Sequence, residues 1–171
     1  MANKYCRKYP LGSINDIDTT ATTQHAHYRL GDVADIFDDS NKVVTRYMYI
    51  YARNALAKYG LYRITYANVA GTEVGAATFP AVSATYISVC VPQVAIASGS
   101  YGWVAVEGRC NVTSTGSVTK DHFGDGIKSI ATCTDSGTTR TIYTVGTFTA
   151  ARTGSGTVGI YLFNQRINIQ S

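Results

Sequence analysis

The sequence predicts an all-β fold: a single antiparallel β-sandwich or β-barrel-like domain with a flexible N-terminal arm. Three observations carry this expectation. From Tyr28 onward, short β-branched and aromatic runs are punctuated by Gly, Ser, Asn and Asp, the texture of strands joined by turns. No window repeats apolar residues at helical spacing for long enough to make a convincing helix. Val44–Ala52 alternates with period two, placing Thr45, Tyr47, Tyr49 and Tyr51 on one face and Val44, Met48 and Ile50 on the other.

The elements follow in order. Residues 1–27 show no sustained period, and the stretch Asp16 to Gln24 is polar and small, so this part reads as an arm that orders on a partner, with the β domain spanning 28–171. A strand near Tyr28–Val33 is expected to return through Asp38-Asp39-Ser40-Asn41, whose side chains bond their own backbone in turns. The aromatic strand at 44–52 comes next, then Leu61–Tyr66 after the Tyr59-Gly60 turn. Further strands are expected at Tyr86–Val91, Trp103–Val106, Ile127–Thr132, Arg140–Thr149 and Thr157–Phe163, with Ile167–Ile169 as a final edge, about eight to ten in all. Pro92 lacks an amide hydrogen and stops its strand or sits at an edge. No internal repeat of fixed period is visible.

Charge is sparse, 15% of residues against about 25% in ordinary globular chains, which suggests surface covered by partners or solvated by Ser and Thr. The net charge is +4, yet six of the eleven acids lie between Asp16 and Asp39, leaving five acids and eleven Lys or Arg in everything after Asp39. Those cations are scattered singly, at Arg46, Arg53, Arg63, Arg109, Arg140, Arg152 and Arg166 among others. A nucleic-acid binder clusters them on one element, so no direct nucleic-acid contact is expected. Docking onto an acidic protein surface fits better. No apolar leader follows Met1-Ala2-Asn3-Lys4 and no run approaches the roughly 18 apolar residues of a span, so neither membrane contact nor export by a leader is expected.

Candidate chemistry is thin. Cys6, Cys90, Cys110 and Cys133 lack the close pairing of zinc or redox motifs and read as buried thiols, although Cys90 and Cys110 fall on neighbouring strands where a disulfide is also open to them. His25 and His27 would share a strand face, a spacing zinc uses, but no third ligand stands near. Asp121 to Gly126 resembles a calcium loop only superficially, since His122 and Lys128 stand where ligands belong, and a turn between strands fits better. No Gly-x-Ser-x-Gly elbow or phosphate-binding Gly-Lys-Ser/Thr occurs, and Glu73 and Glu107 are the only glutamates. Asn111-Val112-Thr113 matches a glycosylation acceptor, which has meaning only in a secreted protein. No enzyme activity, metal or cofactor is therefore expected. Trp103 shares a strand face with Ala105 and Glu107, which leaves it either a core aromatic packed between sheets or an anchor for a partner or sugar. The interface candidates are Tyr47, Tyr49, Tyr51, Tyr101, Trp103 and Arg109.

The segment Val89 to Gly108 carries an apolar strand through an Ala/Ser/Gly bend into Tyr101-Gly102-Trp103-Val104-Ala105-Val106-Glu107-Gly108. It resembles a stretch common in small tailed-bacteriophage virion proteins of the head-decoration, or cement, kind, and the likeness of texture extends over roughly residues 44–163. That resemblance implies a structural protein of the virion, made in the host cytoplasm, that sits on the capsid surface and bridges neighbouring major capsid protein subunits. It brings no catalytic residues and does not account for the acidic 16–39 segment. Closed homo-oligomers are expected, trimers slightly ahead of dimers. The alternative is a carbohydrate-binding or host-adhesion β module of a phage head fibre or tail, with Trp103 and the tyrosine face stacking on sugars.

Overall fold

A computed structural model of the chain describes residues 4–6, 20–38, 42–67, 71–75, 88–126, 132–141 and 144–163. They are all β and hold no helix. The strands are β1 (Lys4–Cys6), β2 (Val33–Asp38), β3 (Val43–Ala52), β4 (Tyr62–Ala67), β5 (Gly71–Gly75), β6 (Ser88–Pro92), β7 (Tyr101–Ser114), β8 (Phe123–Gly126), β9 (Cys133–Asp135), β10 (Thr144–Phe148) and β11 (Gly156–Leu162).

Their pairing closes twice. β3, β5, β4, β6 and β7 form one ring, because β3 pairs with β7 from Thr45–Gly108 to Tyr51–Tyr101. β7, β9, β8, β10 and β11 form a second ring, closed by the Ser114–Cys133 pair and by the Thr115 amide donating to Cys133 O at 3.0 Å. The two rings have the same wiring. In each, the first strand runs parallel to the third, and every other pairing is antiparallel. The 14-residue β7 is the last strand of one barrel and the first of the next.

The connections repeat with the strands. In the first barrel the loops 53–61 and 93–100 meet through a Leu56–Ile96 bridge, and in the second the loops after β7 and β10 meet through Val118–Arg152. Three residues beyond Leu56, Ile96 and Val118 the backbone turns left-handed, at Tyr59 (φ 63), Gly99 (φ 77) and Asp121 (φ 67). Such a backbone disfavours a bulky side chain. Tyr59 holds it because its N–H donates to Pro92 O and its carbonyl accepts from Thr113 N–H, each at 2.8 Å.

β7 changes faces as it passes from one barrel to the other. Arg46 pairs with Glu107 but Tyr47 pairs with Ala105, so Val106 is an extra residue, a bulge that inverts the alternation. Val104 therefore joins Ile50, Ala52, Leu56, Tyr62, Ile64, Cys90 and Ile96 in one buried cluster. Trp103 and Ala105 join the other, which runs from Tyr28, Tyr47 and Tyr49 to Cys110, Val112, Phe148, Ile160 and Leu162 of the second barrel. Sharing a strand and a cluster ties the barrels into one packed body.

Several expected elements lie elsewhere. The strand expected at Tyr28–Val33 begins at Val33, because Asp32 Oδ2 accepts from Arg29 N–H at 2.7 Å and Gly31 (φ 89) turns the chain. Trp103–Val106 is only the middle of β7, and β5 was not foreseen. Arg140–Thr149 narrows to Thr144–Phe148, with 142–143 outside the described residues. Residues 127–131 and 164–171, which include most of the strand placed at Ile127–Thr132 and the edge placed at Ile167–Ile169, also lie outside them. Pro92 ends β6, and its free carbonyl serves Tyr59. Of the first 27 residues, Lys4–Cys6 pairs with β2 and Ala21 bridges to Tyr101.

The turn expected at Asp121–Gly126 is confined to its start, where Asp121 (φ 67) turns the chain; Phe123–Gly126 is strand β8 instead, and Asp135 anchors the turn. The Asp135 carboxylate accepts from Thr119 N–H and Gly137 N–H, both at 2.7 Å, and meets His122 Nδ1 at 2.9 Å. Burial opposes its charge, but the Gly137 and Thr119 amides and the His122 ring outweigh burial and hold its pKa below the ordinary value of 3.8. A depressed carboxylate stabilises the fold above its unfolded pKa and is lost as pH falls through the folded one. Unfolding measured from pH 7 downward should therefore show the Asp135→Asn variant about 1–3 kcal/mol less stable at neutral pH. The gap should begin to shrink below about pH 4, where Asp135 of the unfolded chain protonates, and close as pH falls through the lower folded-state pKa. A gap that stays constant down to acid unfolding would refute the assignment.

Candidate functional site

The aromatic residues separate into buried and presented groups. Trp103 is 1% exposed, Tyr49 4% and Tyr47 8%, so these three interface candidates lie in the core. Tyr28, which the sequence reading did not single out, closes over them. Its ring meets the edge of Trp103 at 5.3 Å and of Tyr49 at 5.4 Å, and His25 stacks on its outer side at 4.3 Å. The sequence had placed Trp103 beside Glu107 on one face, but the Val106 bulge turns them to opposite faces. Burial pushes the Tyr49 phenol above its ordinary pKa, and its oxygen accepts the His25 N–H at 3.1 Å. His25 and His27 sit in a turn closed by Tyr28 N–H to His25 O rather than on a strand, with rings tilted 55°.

Tyr51 and Tyr101 are only half-buried. They are cross-strand partners with ring centroids 5.0 Å apart, at the end of β3 and the start of β7. Three stretches gather around them. Ala21 exchanges both backbone hydrogen bonds with Tyr101; Ala52 receives the Gly99 N–H and donates to Ser100 O; Ser98 Oγ donates to Arg53 O. The segment 20–27 and the loops 53–61 and 93–100 contain no acid, and they present Arg53, Lys58, His25 and His27 to solvent. Tyr51 is also paired with Glu73 of β5, so one acid borders the pair; tyrosine beside the exposed cations of these stretches is suited to contact with an acidic protein surface. Arg53 and Lys58 both come from the loop 53–61, directly after β3, while the loop 93–100, joined to it by the Leu56–Ile96 bridge, carries no charge.

Arg109 occupies a second surface, the outer face of β7. It is exposed and lies opposite Tyr161 on β11. Arg46 joins that face, bonding Asp35 through Nε (2.8 Å) and Nη2 (3.1 Å) and Glu107 through Nη1 (2.9 Å). The hydrogen bond to Asp35 raises the Arg46 pKa, against its own desolvation.

Cys90, Cys110 and Cys133 are free and buried, and burial pushes all three thiols far above their ordinary range, so the disulfide left open between Cys90 and Cys110 is not formed. Cys90 faces the first barrel's interior while Cys110 packs in the other cluster. Asp125, also buried, accepts from Ser136 Oγ (3.1 Å), Thr141 Oγ1 (2.6 Å) and Thr144 Oγ1 (2.8 Å), and so pins the β9–β10 connection and the start of β10 to β8. Among the described residues no group of His, Cys, Asp and Glu is arranged to hold a metal ion.

No protein-family model matches the chain, nor does any curated protein. Among solved structures it is similar to the head fiber gp8.5 N base in bacteriophage phi29, with a TM-score of 0.47 and 13% identity over 70% of this chain and 95% of that one.

Proposed function

We propose that the chain is a non-enzymatic structural protein of a bacteriophage virion, a decoration or cement protein that binds the outer capsid surface and bridges neighbouring major capsid protein subunits. One geometric observation carries the reading: the half-buried Tyr51–Tyr101 pair is bordered by the segment 20–27 and the loops 53–61 and 93–100, the second of which presents Arg53 and Lys58. Aromatic side chains backed by a rigid sheet contribute contact area at little entropic cost, and surrounding cations steer the surface onto acidic partners. The segment resembling virion proteins, Val89 to Gly108, supplies Tyr101 and one of those loops. Repeated copies on a symmetric shell then add avidity to a modest single contact.

Purified chain mixed with intact capsids should sediment with them in a fixed ratio to the coat protein. The double variant Arg53→Glu/Lys58→Glu should bind at least about tenfold more weakly while melting like the parent, and added salt should weaken the parent. Strong, selective binding on a glycan array without capsid binding would replace this reading with the adhesion module.

A further inference from the structure

Arg152 breaks the correspondence between the two barrels. The bridging residues Leu56, Ile96 and Val118 are buried, whereas Arg152, which holds the position of Ile96, is exposed. The backbone pairing therefore needs no cation there, and yet the guanidinium is fixed. Its Nη2 donates to Ser155 O at 3.0 Å and its Nη1 to Thr157 O at 3.4 Å, and it fills the space that a Cβ on residue 156 would take, which Gly156 leaves open. No carboxylate pairs with Arg152 among the described residues. The loops 115–122 and 149–155 hold a single acid, Asp121, beside the exposed Lys120, and Asp121 forms no ion pair with the described residues. A guanidinium already oriented, with N–H donors left facing water, takes a carboxylate at little entropic cost.

We infer that Arg152 is a second cationic anchor of the capsid contact, which crosses from the first barrel onto the second; this rests on the proposed function. A run of short contacts joins Arg152 to the first surface. Lys58 Nζ lies 4.8 Å from the centre of the Tyr59 ring, the Tyr59 carbonyl accepts from Thr113 N–H at 2.8 Å, Thr113 pairs with Thr157 on β11, and Thr157 O accepts from Arg152. Neighbouring strands stand about 4.8 Å apart, so Tyr59 and Thr157 are roughly 10 Å apart across Thr113. Thr113 is partly exposed and Thr157 exposed, and neither sets a charge or a bulky group between the two cations. A protein surface with carboxylates opposite Lys58 and Arg152 can therefore lie across the joint. Nucleic acid fits less well, since a phosphate backbone calls for cations clustered along one element. Because β7 belongs to both barrels, the anchors keep a fixed spacing, and the second contact follows the first with little further loss of freedom.

Sedimentation of the full chain with intact capsids of the phage that encodes it, paired with thermal melts of each variant, tests the anchor. Arg152→Glu should bind about tenfold more weakly than the parent while melting like it. Arg152→Lys keeps the charge and loses the planar fork, so its binding should fall between the two. Arg152→Gln can still donate to a backbone carbonyl, and it should bind more weakly than the parent even if the Glu variant fails to fold. Glu and Gln variants that bind like the parent would overturn the anchor, as would losses of binding that only track losses of melting temperature. Binding that falls in Arg53→Glu/Lys58→Glu and stays whole in Arg152→Glu would overturn this inference and leave the proposed function standing. A parent that does not sediment with capsids would overturn the proposed function, and the anchor with it.

Discussion

Trp103→Ala will cost the folded chain about 4 kcal/mol, the range seen when a large aromatic is removed from a core. The midpoint of thermal unfolding should fall by roughly 10 °C for a chain of this size. Trp103 is 1% exposed and held by Tyr28 and Tyr49 at ring distances of 5.3 Å, so its loss opens a cavity that three strands and the 20–28 segment border and cannot close. Trp103→Phe separates packing from chemistry. The indole N–H is buried without an acceptor among the described residues, a cost that phenylalanine removes while keeping most of the contact area. The Phe variant should therefore lose less than about half of what alanine loses. Were Trp103 an anchor for a partner, alanine would abolish binding and leave the melting temperature unchanged, and that outcome would sink the core assignment.

Trp103 also shows where the sequence was legible. Period-two alternation in β3 placed Tyr47 and Tyr49 correctly on one face and Ile50 on the other, because alternation is a local property of the strand. That both faces are covered is not local. It depends on β3 being a wall of the first barrel while its aromatic side packs beneath Tyr28, and those contacts come from residues far apart in sequence. β7 was read as four residues instead of fourteen because the bulge at Val106 breaks its alternation and Gly108 resembles a terminator. The duplication stayed hidden for a similar reason. The bridging residues Leu56, Ile96, Val118 and Arg152 share a backbone role and no side-chain identity, and the shared β7 leaves no constant period. Of the candidate site, Tyr51 was legible from the alternation of its strand and Tyr101 from the Tyr-Gly-Trp segment, whereas the folding of the segment 20–27 and the loop 93–100 against them comes from long-range backbone pairing.

Gly108 joins the two barrels, and Gly108→Ala is expected to cost about 3 kcal/mol or more. Its backbone is left-handed (φ +88), which alone penalises alanine by about 1 kcal/mol. The larger part is steric. A Cβ at this position would run into the backbone oxygen of Val44 and lie 2.9 Å from Thr45 Cα, and neither can rotate away as a side chain would. Relief requires β3 and β7 to separate at the Thr45–Gly108 pair, which also stretches the 2.6 Å hydrogen bond from Thr45 Oγ1 to Arg109 O. Gly137→Ala provides the control, since its φ is +76 with nothing within 4 Å, so it should show the conformational penalty alone. Because β7 belongs to both barrels, calorimetry of the Gly108 variant should still give a single transition, shifted down as a whole. Equal losses for Gly108→Ala and Gly137→Ala would mean that the strands yield freely at the joint. A transition split in two would mean that β7 does not couple the barrels.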